Sequence, residues 1–359
     1  MSYSRQDLSR RRFLQSALGL AALPALTPLA AQAAPRVAAN ERITVGAIGL
    51  GGQGFGDMMA MLHQPDTQIV ALCDVDSKHY RDKPWGQGRA YGLKPAADVV
   101  KDHYAHTSPG ASYRGLKLYS DFREVCNDPS IDAVIVATPD HWHALCTLEA
   151  LRNGKDVYCE KPLTHLFHEG QAVYREAARQ NAVFQVGSQQ RSNERFRHAV
   201  ELVLNGHIGK IHTVEVGLCP GYDHPMGDTT IKPPPDHLNY DFWCGPSEKL
   251  PYMRARSHRF WRGHHDYGGG ELMDWIGHHN DIAHWGMGMD HSGPTSVEAV
   301  DWIYPDTDIY NVPYLYTVNC EYAGGIKTSI STNFDMGPKW IGDKGWVHVN
   351  RSKLEASNP

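Results

Sequence analysis

Asp274 and His278 stand four residues apart in the string GGGELMDWIGHHNDIAHW, and Asp281 and Trp285 follow at helical spacing. If residues 271–288 form a helix, these four side chains share one stripe. An imidazole flanked by carboxylates is held in one tautomer and accepts a proton more readily, so the stripe suits deprotonation of a hydroxyl. Lys161, in CEKPL, closes a run of strand-like residues. An ammonium at the mouth of a sheet can hydrogen-bond a reacting oxygen and stabilise charge on it. Lys161, Asp274 and His278 are therefore the candidate catalytic residues, with Asp274 expected to orient His278. Two rivals stay open. The helix pair can be a simple surface pair, or, in a chain with 21 histidines, part of a metal site with the nearby HHD string at 264–266. Asp274 and His278 offer only two ligands at helical spacing, with no third placed as in a zinc-hydrolase helix, so no metal is expected.

A second set of residues points to a dinucleotide. Gly49-x-Gly51-x-x-Gly54, with Gly52 and Gln53 inside it, follows the strand pattern ITVGAI and precedes a helical pattern. In that context the glycines allow a tight turn, a close approach of backbone to a pyrophosphate, and packing of helix on strand. Asp74 lies twenty residues further on, at the end of the next strand pattern. A carboxylate there accepts from a ribose hydroxyl and repels a 2′-phosphate, so NAD is expected in preference to NADP. Three polar clusters, TPDHWH (138–143), EKP (160–162) and SQQR (188–191), each begin where a predicted strand ends. That edge of a doubly wound sheet is where ligands bind. Thr138, Pro139, His143, Glu160 and Lys161 therefore join the glycines and Asp74 as cofactor candidates.

These residues need a scaffold, and the first half of the chain spells one out. QIVALC (68–73), DAVIVAT (132–138), KDVYC (155–159) and AVFQVG (182–187) read as strands, while 143–153 and 167–180 have helical periodicity. Alternation of this kind implies an α/β fold, a parallel sheet covered by helices on both faces. Residues 83–116 are expected to hold one helix and irregular loops.

The glycine loop, Asp74, Thr138-Pro139, Glu160-Lys161-Pro162 and the glycine-rich start of the later helix together resemble the Gfo/Idh/MocA oxidoreductases, the glucose–fructose oxidoreductase and inositol dehydrogenase family. The resemblance covers nearly the whole chain after residue 40. It implies an N-terminal Rossmann domain (40–190) and a second α+β domain (191–359), built on an open, largely antiparallel sheet that often mediates homo-oligomers. It places Lys161 between nicotinamide and substrate and makes Asp274 and His278 the family's D-x-x-x-H pair. Relatives usually continue for several dozen residues beyond the equivalent of Pro359, so an uncovered sheet edge is expected. Substrate recognition is less sharply written: Gln190, Arg191 and Asp281 are candidates. RSHRFWRGHHDY (256–267) adds aromatic, histidine and arginine side chains suited to a sugar or polyol. Interdomain packing is the alternative for all of them.

The first residues carry an address. Arg10, Arg11 and Arg12 precede FLQSALGLAALPALTPLAAQA, an apolar run broken by two prolines and closed by Ala31-Gln32-Ala33. That pattern is a twin-arginine export signal spanning 1–33, with a periplasmic destination and no stable membrane anchor. A net charge of −5 without blocks of like charge gives no reason to expect nucleic acid as a partner. The seven cysteines include no C-x-x-C pair and are expected to stay unpaired, as in a protein folded before export. An exported nicotinamide enzyme cannot exchange its cofactor with a pool, so the cofactor must stay bound and the redox cycle must close on it. Three readings follow: a sugar or polyol oxidoreductase, an NAD-dependent glycosidase using transient oxidation, and a non-catalytic NAD- or sugar-binding protein. Within the resemblance, the glycosidases often lack the lysine of E-K-P. Its presence here favours the oxidoreductase.

Overall fold

The computed structural model describes residues 41–81, 88–107 and 115–358, and the arginine-led signal at 1–33 lies outside them. β1 (Ile43–Ile48) and β2 (Thr67–Cys73) flank α1 (Gly52–Leu62), whose first turn is the glycine loop. A short hairpin follows, β3 (His79–Tyr80) on β4 (Ala90–Tyr91), then α2 (Leu93–Thr107) and β5 (Lys117–Tyr119). The chain continues through α3 (Phe122–Asn127), β6 (Ala133–Val136), α4 (Asp140–Arg152), β7 (Asp156–Cys159), α5 (Phe167–Gln180) and β8 (Phe184–Val186).

These strands form one parallel sheet in the order β5-β2-β1-β6-β7-β8. The central strands read AVIV and ITVGAI because helices cover both faces, and Val134, Ile135 and Val136 are buried. The order reverses direction between β1 and β6, which opens a crevice at their carboxyl ends. The expected helix within 83–116 is α2, while periodicity missed β4 inside that stretch and β3 and β5 on either side of it; elements of two or three residues carry too few positions for a period to show.

A 3-10 turn (Gln189–Ser192) leads into α6 (Glu194–Leu204) and β9 (Ile211–Gly217). After α7 (Tyr240–Cys244) and two 3-10 turns (Arg254–Arg256 and His258–Gly263) comes α8 (Gly270–Gly286), the helix expected at 271–288. The last strands are β10 (Ser296–Ile303), β11 (Leu315–Glu321), β12 (Lys327–Ser331), β13 (Gly337–Gly342), β14 (Gly345–Val349) and β15 (Leu354–Ala356). They and β9 form a seven-stranded sheet, order β10-β11-β12-β9-β13-β14-β15, antiparallel except where β12 meets β9.

α8 is pinned to this sheet. Trp340 is fully buried, and its indole Nε1 donates to the Ala283 carbonyl at 3.1 Å. Gly286 leaves room for it, since a Cβ there would meet the indole at 2.6 Å. Gly270 opens the helix at φ +71°, a conformation glycine adopts without steric cost. Phe196, Val200, Val214, Val216 and Ile282 complete that core. Packing against β9 and β13 fixes which face of α8 turns to Lys161.

Candidate active site

The glycine loop has the geometry its spacing implies. Gly49 sits at φ +84°, and a Cβ there would meet the Ala137 carbonyl at 2.7 Å, so only glycine turns this corner. A Cβ on Gly54 would collide with the Gly49 carbonyl, which is how α1 comes close onto β1. Gly51 faces open space, and no side chain caps the α1 N-terminus. The free donors and dipole of that terminus suit an anion. Gly49, Gly51, Gly52, Gln53, Asp74, Thr138 and Pro139 all line the crevice.

Three arginines that sequence reasoning missed line it too: Arg81, Arg259 and Arg262. Arg81 lies against the Cα of Gly52. Burial, and then repulsion from Arg259 and Arg262, lower its pKa. Like charges held together in this way draw in an anion. Nothing local marks Arg81 in the sequence; the basic residues of RSHRFWRGHHDY were the only hint of the other two. Open space at Gly51, the uncapped helix end and the arginine trio together fit a dinucleotide pyrophosphate.

Asp74 lines the crevice with both oxygens engaged, while His143 and Glu160 stand back from it. Asp74 Oδ2 accepts from the Leu50 amide at 2.7 Å and Oδ1 from the Asp76 amide at 2.8 Å. Both oxygens thus brace the glycine loop and the turn after β2, and burial raises the carboxyl's pKa. His143 does not line the crevice. Its Nδ1 lies 2.9 Å from the Pro162 carbonyl and its Nε2 2.9 Å from that of Thr138, so the ring ties the TPDHWH and EKP loops together from behind. Glu160 is also buried, accepting from the Tyr158 hydroxyl at 3.1 Å and reached by Gln53 Nε2 at 3.4 Å.

Lys161, Asp274 and His278 converge, but not in the expected pairing. Lys161 Nζ donates to Asp274 Oδ1 at 2.6 Å and to its backbone carbonyl at 2.9 Å, with the two side chains 10% and 14% exposed. Arg262 Nη2 donates to the same Oδ1 at 3.1 Å. Burial opposes ionisation of Asp274, but Arg262 and Lys161 outweigh it and hold the carboxyl well below the usual range. Asp274 therefore orients Lys161 rather than His278. Helical spacing allowed the i,i+4 contact, but two cations from other elements compete for the carboxylate more strongly than a neutral imidazole.

His278 Nδ1 is buried with no hydrogen-bond partner. Burial, then the charges of Lys161 and Arg351, depress its pKa to about 3. The ring is neutral at ordinary pH and, contrary to the expectation from helical spacing, holds a proton less readily than a free imidazole, because burial and the nearby cations outweigh Asp274. Asp140, in TPDHWH, is pushed up to about 7 by burial, with Arg262 lowering it and Asp274 raising it. It is a second titratable group at this site that sequence reasoning did not single out.

The substrate candidates turn out to be occupied. Arg191 makes a two-pronged pair with Asp281, Nε to Oδ2 and Nη2 to Oδ1 both at 2.8 Å, and also reaches Asp290 at 2.8 Å. Gln190 Nε2 donates to the His278 carbonyl at 3.1 Å, and its Oε1 accepts from Arg351 Nε at 2.8 Å. These residues clamp α8 to the 3-10 turn before α6, so they hold His278 in place. In this arrangement they pack within the second half of the chain rather than across the two domains.

All seven cysteines are free. Among the described residues no helix is long and apolar enough to cross a membrane.

Two family models match in tandem. Residues 43–188 match the oxidoreductase family's NAD-binding Rossmann fold, and residues 192–350 match its C-terminal alpha/beta domain. Inositol 2-dehydrogenase of Rubrobacter xylanophilus is 30% identical over 173 residues, 47% of this chain and 42% of that protein. The chain spans about half the length, or less, of the curated relatives it matches. Among solved structures, GenD2 from gentamicin A biosynthesis, in complex with NAD, superposes with a TM-score of 0.60 at 19% identity, covering 90% of this chain and 75% of its own. Aldose-aldose oxidoreductase from Caulobacter crescentus, complexed with glycerol, gives 0.58 at 18%, covering 88% and 80%. At such identities the structural likeness speaks for the fold. With both halves matched in order, the chain belongs to the Gfo/Idh/MocA oxidoreductase family.

Proposed function

We propose that this protein oxidises a hydroxyl of a sugar or polyol, using NAD held in the crevice. The observation that carries the proposal is a buried lysine oriented by a carboxylate on the same helix as a histidine with a buried, unpartnered ring nitrogen: Lys161 on Asp274, and His278 with no partner at Nδ1. NAD, when bound, accepts the hydride. His278 takes the hydroxyl proton. Lys161, held by Asp274, donates a hydrogen bond to the same oxygen and stabilises its developing charge. Arg81, Arg259 and Arg262 bind the anionic part of the cofactor, and Asp74 fixes the glycine loop. The Asp74 carboxylate at the end of β2 disfavours a 2′-phosphate, which supports NAD over NADP. A relative named inositol 2-dehydrogenase supports a polyhydroxylated substrate.

The division at 190/191, the signal at 1–33 and export to the periplasm with cofactor already bound belong to the same reading. So does a homo-oligomer. Val297, Val300, Trp302, Ile303 and Tyr304 on and after β10 leave an apolar strip exposed, and a second copy would cover it. The test is turnover on a panel of free sugars and inositols beside aryl glycosides. Oxidation of a free polyol supports the proposal. Release of the aryl group alone would assign the glycosidase reading, and no turnover on either would leave a binding protein.

A further inference from the structure

Asp76, His79 and His258 meet at one end of the crevice, away from Lys161 and His278, and nothing in the proposed chemistry uses them. Asp76 follows β2, His79 begins β3, and His258 opens the 3-10 turn of the second half of the chain. Asp76 Oδ2 lies 3.4 Å from His79 Nδ1 and 3.2 Å from His258 Nε2, and the three atoms all lie within 4.8 Å of one another. The side chains are 2%, 8% and 10% exposed. Asp76 Oδ2 and His79 Nδ1 are buried without a well-directed hydrogen bond, facing each other only at ion-pair distance. Unsatisfied buried polar atoms of this kind need an explanation.

From these we infer that Asp76, His79 and His258 bind a divalent transition metal of the zinc type, with its fourth position facing the crevice. The spacing fits the ion. Ligands at about 2.0–2.1 Å from tetrahedral zinc stand about 3.3 Å apart; the two carboxylate–imidazole separations here are 3.2 and 3.4 Å, and the two imidazole nitrogens lie within 4.8 Å of one another. Octahedral ligands at similar bond lengths would stand about 3.0 Å apart. Two imidazoles and a carboxylate are a donor set zinc accepts, with a water or ligand oxygen in the open place.

The other carboxylate oxygen is already committed. Asp76 Oδ1 lies 2.8 Å from His237 Nδ1 and accepts from the Lys78 amide at 3.0 Å. This outer pair fixes the carboxylate so that Oδ2 points at the two histidines, as supporting residues do around metal ligands. His258 has φ +48°, a left-handed conformation uncommon for a residue with a side chain. Its ring stacks on His79 with centroids 4.0 Å apart. Strain kept at a ligand-shaped cluster is characteristic of binding sites. The metal would also join the two halves of the chain, because the Ser77 amide donates to the His237 carbonyl at 2.9 Å and the Asn239 amide to that of Val75 at 2.9 Å. It would clasp the 237–258 region onto the end of β2.

The test uses the untagged full chain, stripped with a chelator and titrated calorimetrically with zinc chloride, then with cobalt chloride followed by visible absorption. The expected result is one metal per chain and the intense cobalt bands of a tetrahedral site. H79A and H258A should each abolish stoichiometric uptake, H237A should weaken it about 10–100-fold, and H264A should change nothing. Absence of stoichiometric zinc uptake by the wild-type chain would overturn the inference without reference to any variant. So would uptake unchanged in both H79A and H258A, or only the weak bands of octahedral cobalt.

Discussion

Replacing Asp274 by asparagine should destabilise the protein through Lys161 and Arg262, with His278 playing little part. The Lys161–Asp274 pair spans 2.6 Å with both side chains largely buried. Removing one partner of a buried pair costs about 3–5 kcal/mol, because the other charge is left uncompensated. Asparagine keeps the shape and an oxygen that accepts from Lys161, which puts D274N near the lower end, at about 3 kcal/mol. The assay is urea unfolding in a double-mutant cycle. D274N combined with K161M should show a coupling of about 1–3 kcal/mol, and D274N combined with H278N less than about 0.5 kcal/mol. The pH dependence follows in sign. Asp274 is depressed in the folded state, so its contribution is complete above the unfolded carboxyl value near about 4 and is lost as pH falls through the folded one. The D274N deficit should therefore be flat at neutral pH and shrink below about pH 4. A larger coupling to His278 than to Lys161 would refute this reasoning and restore the i,i+4 pairing that helical spacing suggested.

His278→Ala and Lys161→Ala should each cut turnover by about 10²–10⁴-fold, with the His278→Ala defect smallest at high pH, where solvent can deprotonate the hydroxyl. With the His278 pKa down at about 3, the wild-type kcat/KM profile should show no acid limb from this residue near the ordinary histidine value; one near about 6.5 that vanishes in His278→Ala would contradict it. Asp74→Ala removes the acceptor for two backbone amides and should weaken NAD binding by about 1–3 kcal/mol while also lowering the unfolding midpoint, and NAD affinity unchanged in calorimetry would show that bracing the glycine loop is irrelevant to the cofactor.

What could be read in advance divides by distance along the chain. The glycine loop was legible because a turn, an open backbone and a close helix–strand contact are each set within six residues. The long helix was legible because α8 keeps its period for 17 residues. Partners were not. Lys161 and Asp274 lie 113 residues apart, and Arg191 and Asp281 lie 90 apart. No periodicity reports that such pairs meet, so a carboxylate assigned to its helical neighbour belonged instead to two cations from elsewhere. Arg81 follows the same logic: in HYRD it is one basic residue among many, and it becomes part of the crevice only through the turn after β2. Asp74 was located correctly at the strand end, but the two amides that claim its oxygens come from the loop's folded shape.

In the proposed reaction Lys161 and His278 act on the hydroxyl of a polyol while hydride passes to nicotinamide. Its most direct test is a single-turnover experiment on NAD-loaded protein, mixing with inositols and free sugars and following the near-ultraviolet absorbance of reduced nicotinamide, with substrate protiated or deuterated at the carbinol carbon. Absorbance should grow with at least one polyol, more slowly with deuterium, and about 10²–10⁴-fold more slowly in Lys161→Ala and His278→Ala although NAD remains bound. Absorbance growth that persists undiminished in both variants would contradict these roles.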